Sequence, residues 1–294
     1  MNTKILVCCH KQDVMATQEP YMPIHVGKAL HPELDLGIQG DNTGDNISEK
    51  NGSYCELTGM YWAWKNLKDV DIIGLCHYRR YFDFYSSSIF GLPEQMINTS
   101  QFDSTNFNIA EKILTSVNEG SVIVPKPIHG PISLYYDYCL GHISDDIRIL
   151  EDIIRKQPET IQKSYFRVMR QHNILYPYNM FIMNWKQFDL YCSWLFDILF
   201  LLEKRLDISS YNSYQKRVFG FVSERLFNVW LHSIQVDLIE KPIIWFLDNP
   251  QAKGRKDVIK SMIKSYSNDI SVWLTRPKYF DNWKNETMPK YLNL

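Results

Sequence analysis

The sequence predicts an α/β fold: a mixed, mostly parallel sheet flanked by helices, with helical additions from about 140 to 175 and a helical C-terminal appendage. Three observations carry this. Short apolar runs, KILVCC at 4–9, DIIGLC at 71–76, SVIV at 121–124 and YNMFIM at 178–183, have the length of buried strands. Segments with helical apolar spacing alternate with them, the rhythm of βαβ units. The chain's 294 residues, 45% hydrophobic with only 13 Gly and 13 Pro, suffice for a sizeable core and match ordinary globular usage. The expected division is a domain over 1–250 and an appendage over 251–294.

Each element has its own signal. The first strand, 4–9, runs into His10 and Lys11, and strand carboxyl ends are where open α/β sheets place ligands. Residues 36–52 (LGIQGDNTGDNISEKNG) are rich in Gly, Asn and Asp and predict a loop longer than a connector needs. Ser53 with Glu56 three residues on reads as a capping box opening a helix that carries Leu57, Tyr61, Trp62 and Trp64 and ends near 66–68. The strand at 71–76 leads directly into His77-Tyr78-Arg79-Arg80. A helix over 109–117, with Gly120 past its end, precedes the strand at 121–124. Ser144 is placed to cap a helix with Ile147, Leu150, Ile153 and Ile154 on one face, and a second helix over 161–169 follows Pro158. The strand at 178–183 continues into an aromatic helix over 185–202, and 213–232 reads as another helix. In the tail, Val258, Ile259, Met262, Ile263 and Tyr266 share a helical face beside Lys256, Lys260 and Lys264.

Composition narrows the function. Thirty-two basic and 33 acidic side chains leave a net charge of −1, so no global field recruits nucleic acid. Eight Trp, 18 Tyr and 15 Phe are enough to furnish a ring-stacking surface as well as a core. The six cysteines have no CxxC and no zinc-like spacing, as expected of reduced thiols in a cytoplasmic protein. The first apolar run is too short for a secretory signal and 188–202 too short to span a bilayer. No GxxxxGK[ST], GxGxxG or GxSxG is present, which disfavours ATPases, dehydrogenases and serine hydrolases. The tail carries nine Lys or Arg against four Asp or Glu. That pattern fits either a membrane-surface helix or a helix docked on the core with a solvated basic face.

Three clusters could carry chemistry. Asp41, Asp45, Asn46, Ser48 and Lys50 sit in the polar loop near a helix start, where short side chains and free amides can hold ribose, sugar or phosphate oxygens, or form a plain surface turn. Arg79 and Arg80 point to opposite sides unless the strand has already ended, so at most one need be structural; a guanidinium fork suits a diphosphate, or an ion pair with a neighbouring carboxylate. His77 beside them serves chemistry or the core. Glu224, in GFVSERLFNVWL, reads as a general base raised by burial or as an ion pair; Arg217 is two turns away and Arg225, adjacent, is expected to face elsewhere.

The runs PIHVGKAL, GDNISEKN, YCELTGMYWAWKN, GLCHYRRYF, NMFIMNWKQFDLYCSWLF and RVFGFVSERLFNVWL, in this order, resemble a bacterial family long known only as a domain of unknown function and associated with capsular polysaccharide and exopolysaccharide glycosyltransferases. The resemblance spans about 4–247. It implies a GT-A-like, Rossmann-type fold and sugar transfer from a nucleotide sugar, UDP-linked, to a hydroxyl of a growing capsular, O-antigen or exopolysaccharide glycan, with inversion. Some relatives look like galactofuranosyltransferases. It implies a donor site at His10, Asp41, Asp45, Asn46, Ser48, Lys50, Asn51, Tyr78, Arg79 and Arg80, catalytic roles for Glu224 and His77, and an acceptor surface at Asn179, Met180 and Trp185. It implies no tightly bound cofactor. Where the wider superfamily keeps a metal-binding Asp-x-Asp, this chain has HYRR, so Mn²⁺ or Mg²⁺ dependence and replacement of the cation by arginine are the two alternatives. The basic tail would hold the protein at the inner face of the cytoplasmic membrane, near a lipid-linked acceptor. The competing readings are a retaining pyranosyl transferase, such as a galactosyltransferase, and a non-catalytic glycan-binding or assembly protein.

Overall fold

The computed structural model describes residues 1–85, 93–251, 255–278 and 280. The tail aromatics Tyr279, Trp283 and Tyr291 lie outside them. In chain order the strands are β1 (Thr3–Cys9), β2 (Tyr21–His25), β3 (Gln39–Gly40), β4 (Ile72–His77), β5 (Arg80–Phe82), β6 (Glu94–Asn98), β7 (Val122–Pro125), β8 (Ile128–His129), β9 (Ile174–Leu175), β10 (Phe181–Asn184), β11 (Leu238–Lys241) and β12 (Ile243–Leu247). The helices are α1 (Asn51–Tyr54), α2 (Leu57–Asn66), α3 (Glu111–Asn118), α4 (Leu134–Gly141), α5 (Ser144–Ile154), α6 (Glu159–Tyr165), α7 (Trp185–Glu203), α8 (Val218–Ile234) and α9 (Arg255–Thr275).

The chain forms two compact units, each from three segments. The first comprises Met1–Lys126, Pro177–Cys192 and Val236–Ile259. Among the described residues its ten strands make one mixed sheet in the order β11-β7-β10-β4-β1-β2-β3, with β5, β12 and β6 added from β4. β1 pairs in parallel with β2 and β4, and β2 with β3, whereas β10 runs antiparallel to both β4 and β7. Flanked on both edges, β1 and β4 are apolar almost throughout, as central parallel strands must be. Gly74 lets β10 approach β4: a Cβ there would stand 2.9 Å from Ile182 Cγ1 and 3.1 Å from the Phe181 carbonyl oxygen. Much of the aromatic content is core. Tyr21, Tyr81, Phe102, Phe107 and Phe246 are buried together, Tyr21 donating to the Phe107 carbonyl and Tyr81 accepting from the Ala16 amide, each at 2.9 Å.

The second unit comprises Pro127–Tyr176, Ser193–Gln235 and Lys260–Leu294. It holds the β8–β9 pair, α4 to α6, α8 and the greater parts of α7 and α9. The predicted stripe of α5 is fully buried, and Glu151 behind it, 0% exposed, is matched by Arg170 at 2.9 Å. The two units interleave along the chain, with 127–176 and 193–235 in one of them.

Several local expectations change. Ser53 lies inside α1 and donates to the Lys50 carbonyl at 3.2 Å; the chain turns at Cys55 (φ 54) and α2 starts at Leu57 without a side-chain cap. Ser144 is the first residue of α5, and the N-cap position falls on Ile143. The strand expected from residue 178 starts at Phe181, since Tyr178 and Asn179 adopt φ of 72 and 52. The helix expected over 213–232 opens with a short 3₁₀ turn, Gln215–Arg217, before α8. All six cysteines are free, and burial pushes the thiol of Cys9 up to about 12.

Candidate functional site

The first unit aligns four parallel strands so that they end together. Cys9 faces His25, His25 faces Gly40, and Cys8 faces His77. His10, the loop from Asp41 and the segment from His77 to Arg80 therefore open on one edge of the sheet, the edge where an α/β sheet offers a crevice.

The loop's buried polar side chains are spent on holding it. Asp41, 0% exposed, accepts from the Gly27 amide at 2.9 Å, the Lys28 amide at 3.1 Å and the Ser48 hydroxyl. Ser48, equally buried, also accepts from the Ala29 amide at 3.0 Å. Asn51 donates to the Cys55 carbonyl at 2.7 Å and to Thr58 Oγ1 at 3.1 Å, and its side chain fills the space a Cβ on Gly27 (φ 73) would need. Asp41, Ser48 and Asn51 thus anchor the loop. Asp45, exposed, accepts from the Tyr61 hydroxyl at 3.2 Å; Asn46 accepts from the Ser48 amide; Lys50 lies half-buried beside the Tyr54 ring.

The two arginines divide because β4 ends at His77 and β5 begins at Arg80, which leaves Arg79 in the turn between them. Arg79 Nε donates to Asp13 at 2.9 Å and its two terminal nitrogens reach Asp248 at 3.1 and 3.3 Å. The hydrogen bond to Asp13 raises the Arg79 pKa, and Arg79 in turn holds the Asp248 carboxyl below its usual range. Arg79 is the ion-paired partner. Arg80 instead lies 4.1 Å from the centroid of the Trp245 ring and 4.6 Å from that of Tyr178. Its Nε is buried and has no hydrogen-bond partner among the described residues. His10 meets the Tyr78 ring edge-on at 5.5 Å, and Lys11 lies over the same ring at 5.7 Å.

His77 Nε2 stands 2.9 Å from the Tyr178 carbonyl oxygen; a carbonyl only accepts, so Nε2 carries the hydrogen. Tyr178 donates its hydroxyl to Glu94, and Asn179 donates to Glu56 at 2.6 Å. The left-handed backbone at 178–179 is held by these contacts. Two expected acceptor residues go elsewhere. Met180 is 0% exposed in the core. The amide of Trp185 bonds to the Asp71 carbonyl at the amino end of β4, about 20 Å from His77 at strand rise, so antiparallel β10 carries it to the opposite sheet edge.

In the second unit, Glu224 Oε2 lies 3.0 Å from Arg225 Nη1, and Arg225 Nη2 lies 3.1 Å from Asp137. Arg225 does not face elsewhere: its long side chain folds back along α8, also donating to the Phe221 carbonyl at 3.3 Å.

Asp13, Trp245 and Asp248 were missed by sequence reasoning, as was His25, which is 1% exposed at the end of β2 with Nε2 unpartnered among the described residues. Burial lowers the His25 pKa. Only its place in PIHVGKAL could have flagged it. His77, Arg79 and Arg80 do not make a divalent-cation donor set, and among the described residues no three His, Cys, Asp or Glu side chains gather to hold a metal.

The profile of a family described as "Domain of unknown function (DUF4422)" matches residues 4–235. No curated protein matches the sequence. Among solved structures, the chain is similar to one described as the WbbM bifunctional glycosyltransferase in apo form, at 29% identity and a TM-score of 0.75 over 87% of this chain. The chain spans 48% of that protein's length, about half.

Proposed function

The chain belongs to the family described as "Domain of unknown function (DUF4422)", and from that premise we propose that it is a glycosyltransferase. It moves a sugar, galactofuranose among the candidates, from a UDP-linked donor to a hydroxyl of a growing capsular, O-antigen or exopolysaccharide glycan. The observation that carries this reading is the likeness to a bifunctional glycosyltransferase over most of the chain. The convergence of four strand ends on Arg80, His77 and the Asp41 loop supports it.

In a single displacement the acceptor oxygen attacks the anomeric carbon, the bond from that carbon to the diphosphate oxygen breaks on the opposite face, and the configuration inverts. The departing diphosphate gathers negative charge, which a preorganised cation stabilises. Arg80 is our assignment for that cation. Stacking on Tyr178 and Trp245 leaves its N–H edge for phosphate oxygens, whereas Arg79 is occupied by Asp13 and Asp248. Lys11 and Lys50 add positive charge, Asp45 and Asn46 offer groups for ribose or sugar hydroxyls, and His77, fixed by the Tyr178 carbonyl, orients the segment with Asn179. Glu224 is our assignment for the base that takes the acceptor proton, with Arg225 Nη1 3.0 Å from its carboxylate. No step is routed through a metal.

The test is turnover. Glu224→Gln should bind UDP-sugar as the wild type does and lose sugar transfer; transfer at the wild-type rate removes Glu224 from the chemistry. Retention of the anomeric configuration in the product, read by NMR, would replace the single displacement with a retaining path. A wild-type protein that binds glycan but never turns over would be a binding protein.

A further inference from the structure

Helix α9 is assembled with its polarity reversed. At 100° per residue, Ile259, Met262, Ile263, Tyr266, Ile270, Trp273 and Leu274 fall within about a third of its circumference. All seven are exposed, six of them by 56 to 67%. The helix packs through a different face. Asn268 donates to the His129 carbonyl at 2.9 Å, Asp269 pairs with the His129 ring at 2.8 Å and accepts from Asn173 at 2.9 Å, and Val272 is 4% exposed beside them. Its polar seam thus faces protein and its apolar stripe faces outward.

Charge says what the stripe meets. Lys256, Lys260 and Lys264, all exposed, form a row along one flank of the stripe, with Arg276 and Lys278 beyond its end. The helix carries two acids, Asp257 and Asp269, and Asp269 is held by His129, so the flank stays net positive. An apolar stripe with an aromatic pair and a lysine border fits the boundary between acyl chains and anionic headgroups, where lysine stems lie along apolar surface and their ammonium groups reach phosphate. Among the described residues no helix is long and apolar enough to cross a membrane, so the fitting geometry is a helix lying in the surface.

We propose that the outward face of α9 docks this protein on an anionic lipid surface, with the seven apolar side chains entering the headgroup boundary and the three lysines meeting lipid phosphates. The proposal stands independently of sugar transfer.

Co-sedimentation of the full chain with phosphatidylcholine vesicles, with and without phosphatidylglycerol, tests it. Three lysines that each raise affinity about fivefold near an anionic surface should make binding about a hundredfold tighter with phosphatidylglycerol. The double variant Ile263→Asp/Trp273→Asp should lose vesicle binding while its thermal midpoint stays at the wild-type value. Lys256→Glu/Lys260→Glu/Lys264→Glu, all at exposed positions, should abolish the preference for phosphatidylglycerol and provides the test if the apolar variant fails to fold. Wild-type protein that stays in the supernatant overturns the proposal, as does lipid binding indifferent to both variants. A dimer in sedimentation velocity that Ile263→Asp/Trp273→Asp dissociates, without vesicle binding by the wild type, assigns the face to a second copy instead.

Discussion

Arg79 and Arg80 are neighbours in sequence with opposite employment, and replacing each by alanine separates them. Arg80 lies against two rings and has a buried Nε without a partner among the described residues, so Arg80→Ala breaks no ion pair among them. On the proposed assignment its loss removes a charged contact to the diphosphate, worth about 1.5 to 3 kcal/mol, which corresponds to UDP binding about 10- to 150-fold weaker. Arg79→Ala strips Asp13, 8% exposed, of its Nε hydrogen bond, and should destabilise the fold by about 1 to 3 kcal/mol. Its effect on UDP affinity should be the smaller of the two. Arg80→Lys keeps the charge and loses the planar stack, so its affinity should fall between wild type and Arg80→Ala. Calorimetric titration with UDP and UDP-galactose, beside thermal midpoints, reads both quantities. Unchanged affinity in Arg80→Ala, or an equal loss of affinity in both alanine variants, refutes the division of labour.

Other expectations concern the framework. Arg170→Met leaves the Glu151 carboxylate buried without its partner and should cost about 3 to 5 kcal/mol in chemical denaturation; adding Glu151→Met should recover part of that, and no recovery would mean the pair is not what fails. Burial pushes Asp146 up to about 6 from its ordinary 3.8, despite its bond from Tyr211. A carboxyl raised in the folded state stabilises fully below its unfolded value and loses that contribution as pH climbs through the folded one. Asp146→Asn should therefore match the wild type near pH 4 and gain on it to a plateau of roughly 3 kcal/mol above pH 7. A difference independent of pH would show that Asp146 does not titrate in that window. Gly27→Ala, at φ 73 with its Cβ 2.6 Å from Asn51 Cγ, should lower the thermal midpoint and loosen the Asp41 loop, seen as faster amide exchange at residues 27 and 28.

The central sheet was legible because its strands announce themselves. β1 and β4 are buried on both faces and read as unbroken apolar runs, and the stripe of α5 has helical spacing. β2 carries Pro23 and β6 reads EQMIN, so neither shows a strand period; both are fixed by neighbours rather than by local propensity. Within the site, Arg79 and Arg80 part company because the strand expected to carry both ends at His77, which puts Arg79 in a turn and Arg80 at the start of β5. Sequence could not say which one is paired, because Asp13 and Asp248 lie 66 and 169 residues from Arg79 along the chain. In the polar loop, sequence shows the hydrogen-bonding groups of Asp41 and Ser48 but not the Gly27, Lys28 and Ala29 amides, 13 to 19 residues away, that they hold. The position of Trp185 was not legible for a topological reason, since only the antiparallel register of β10 reveals that it lies at the opposite sheet edge from His77. The tail's charge was visible in sequence, but which face of α9 meets the protein depended on Asn268, Asp269 and their partners across the fold.

The most direct measurement is the thermal midpoint of the purified chain with UDP, GDP, CMP and dTDP and their sugars, each with Mn²⁺ and with EDTA, because a ligand specific to the native state raises it. A rise with UDP and a UDP-sugar that persists in EDTA and disappears in Arg80→Ala is the predicted result. No rise with any nucleotide, with or without metal, would contradict a nucleotide-sugar transferase and return the chain to the glycan-binding reading.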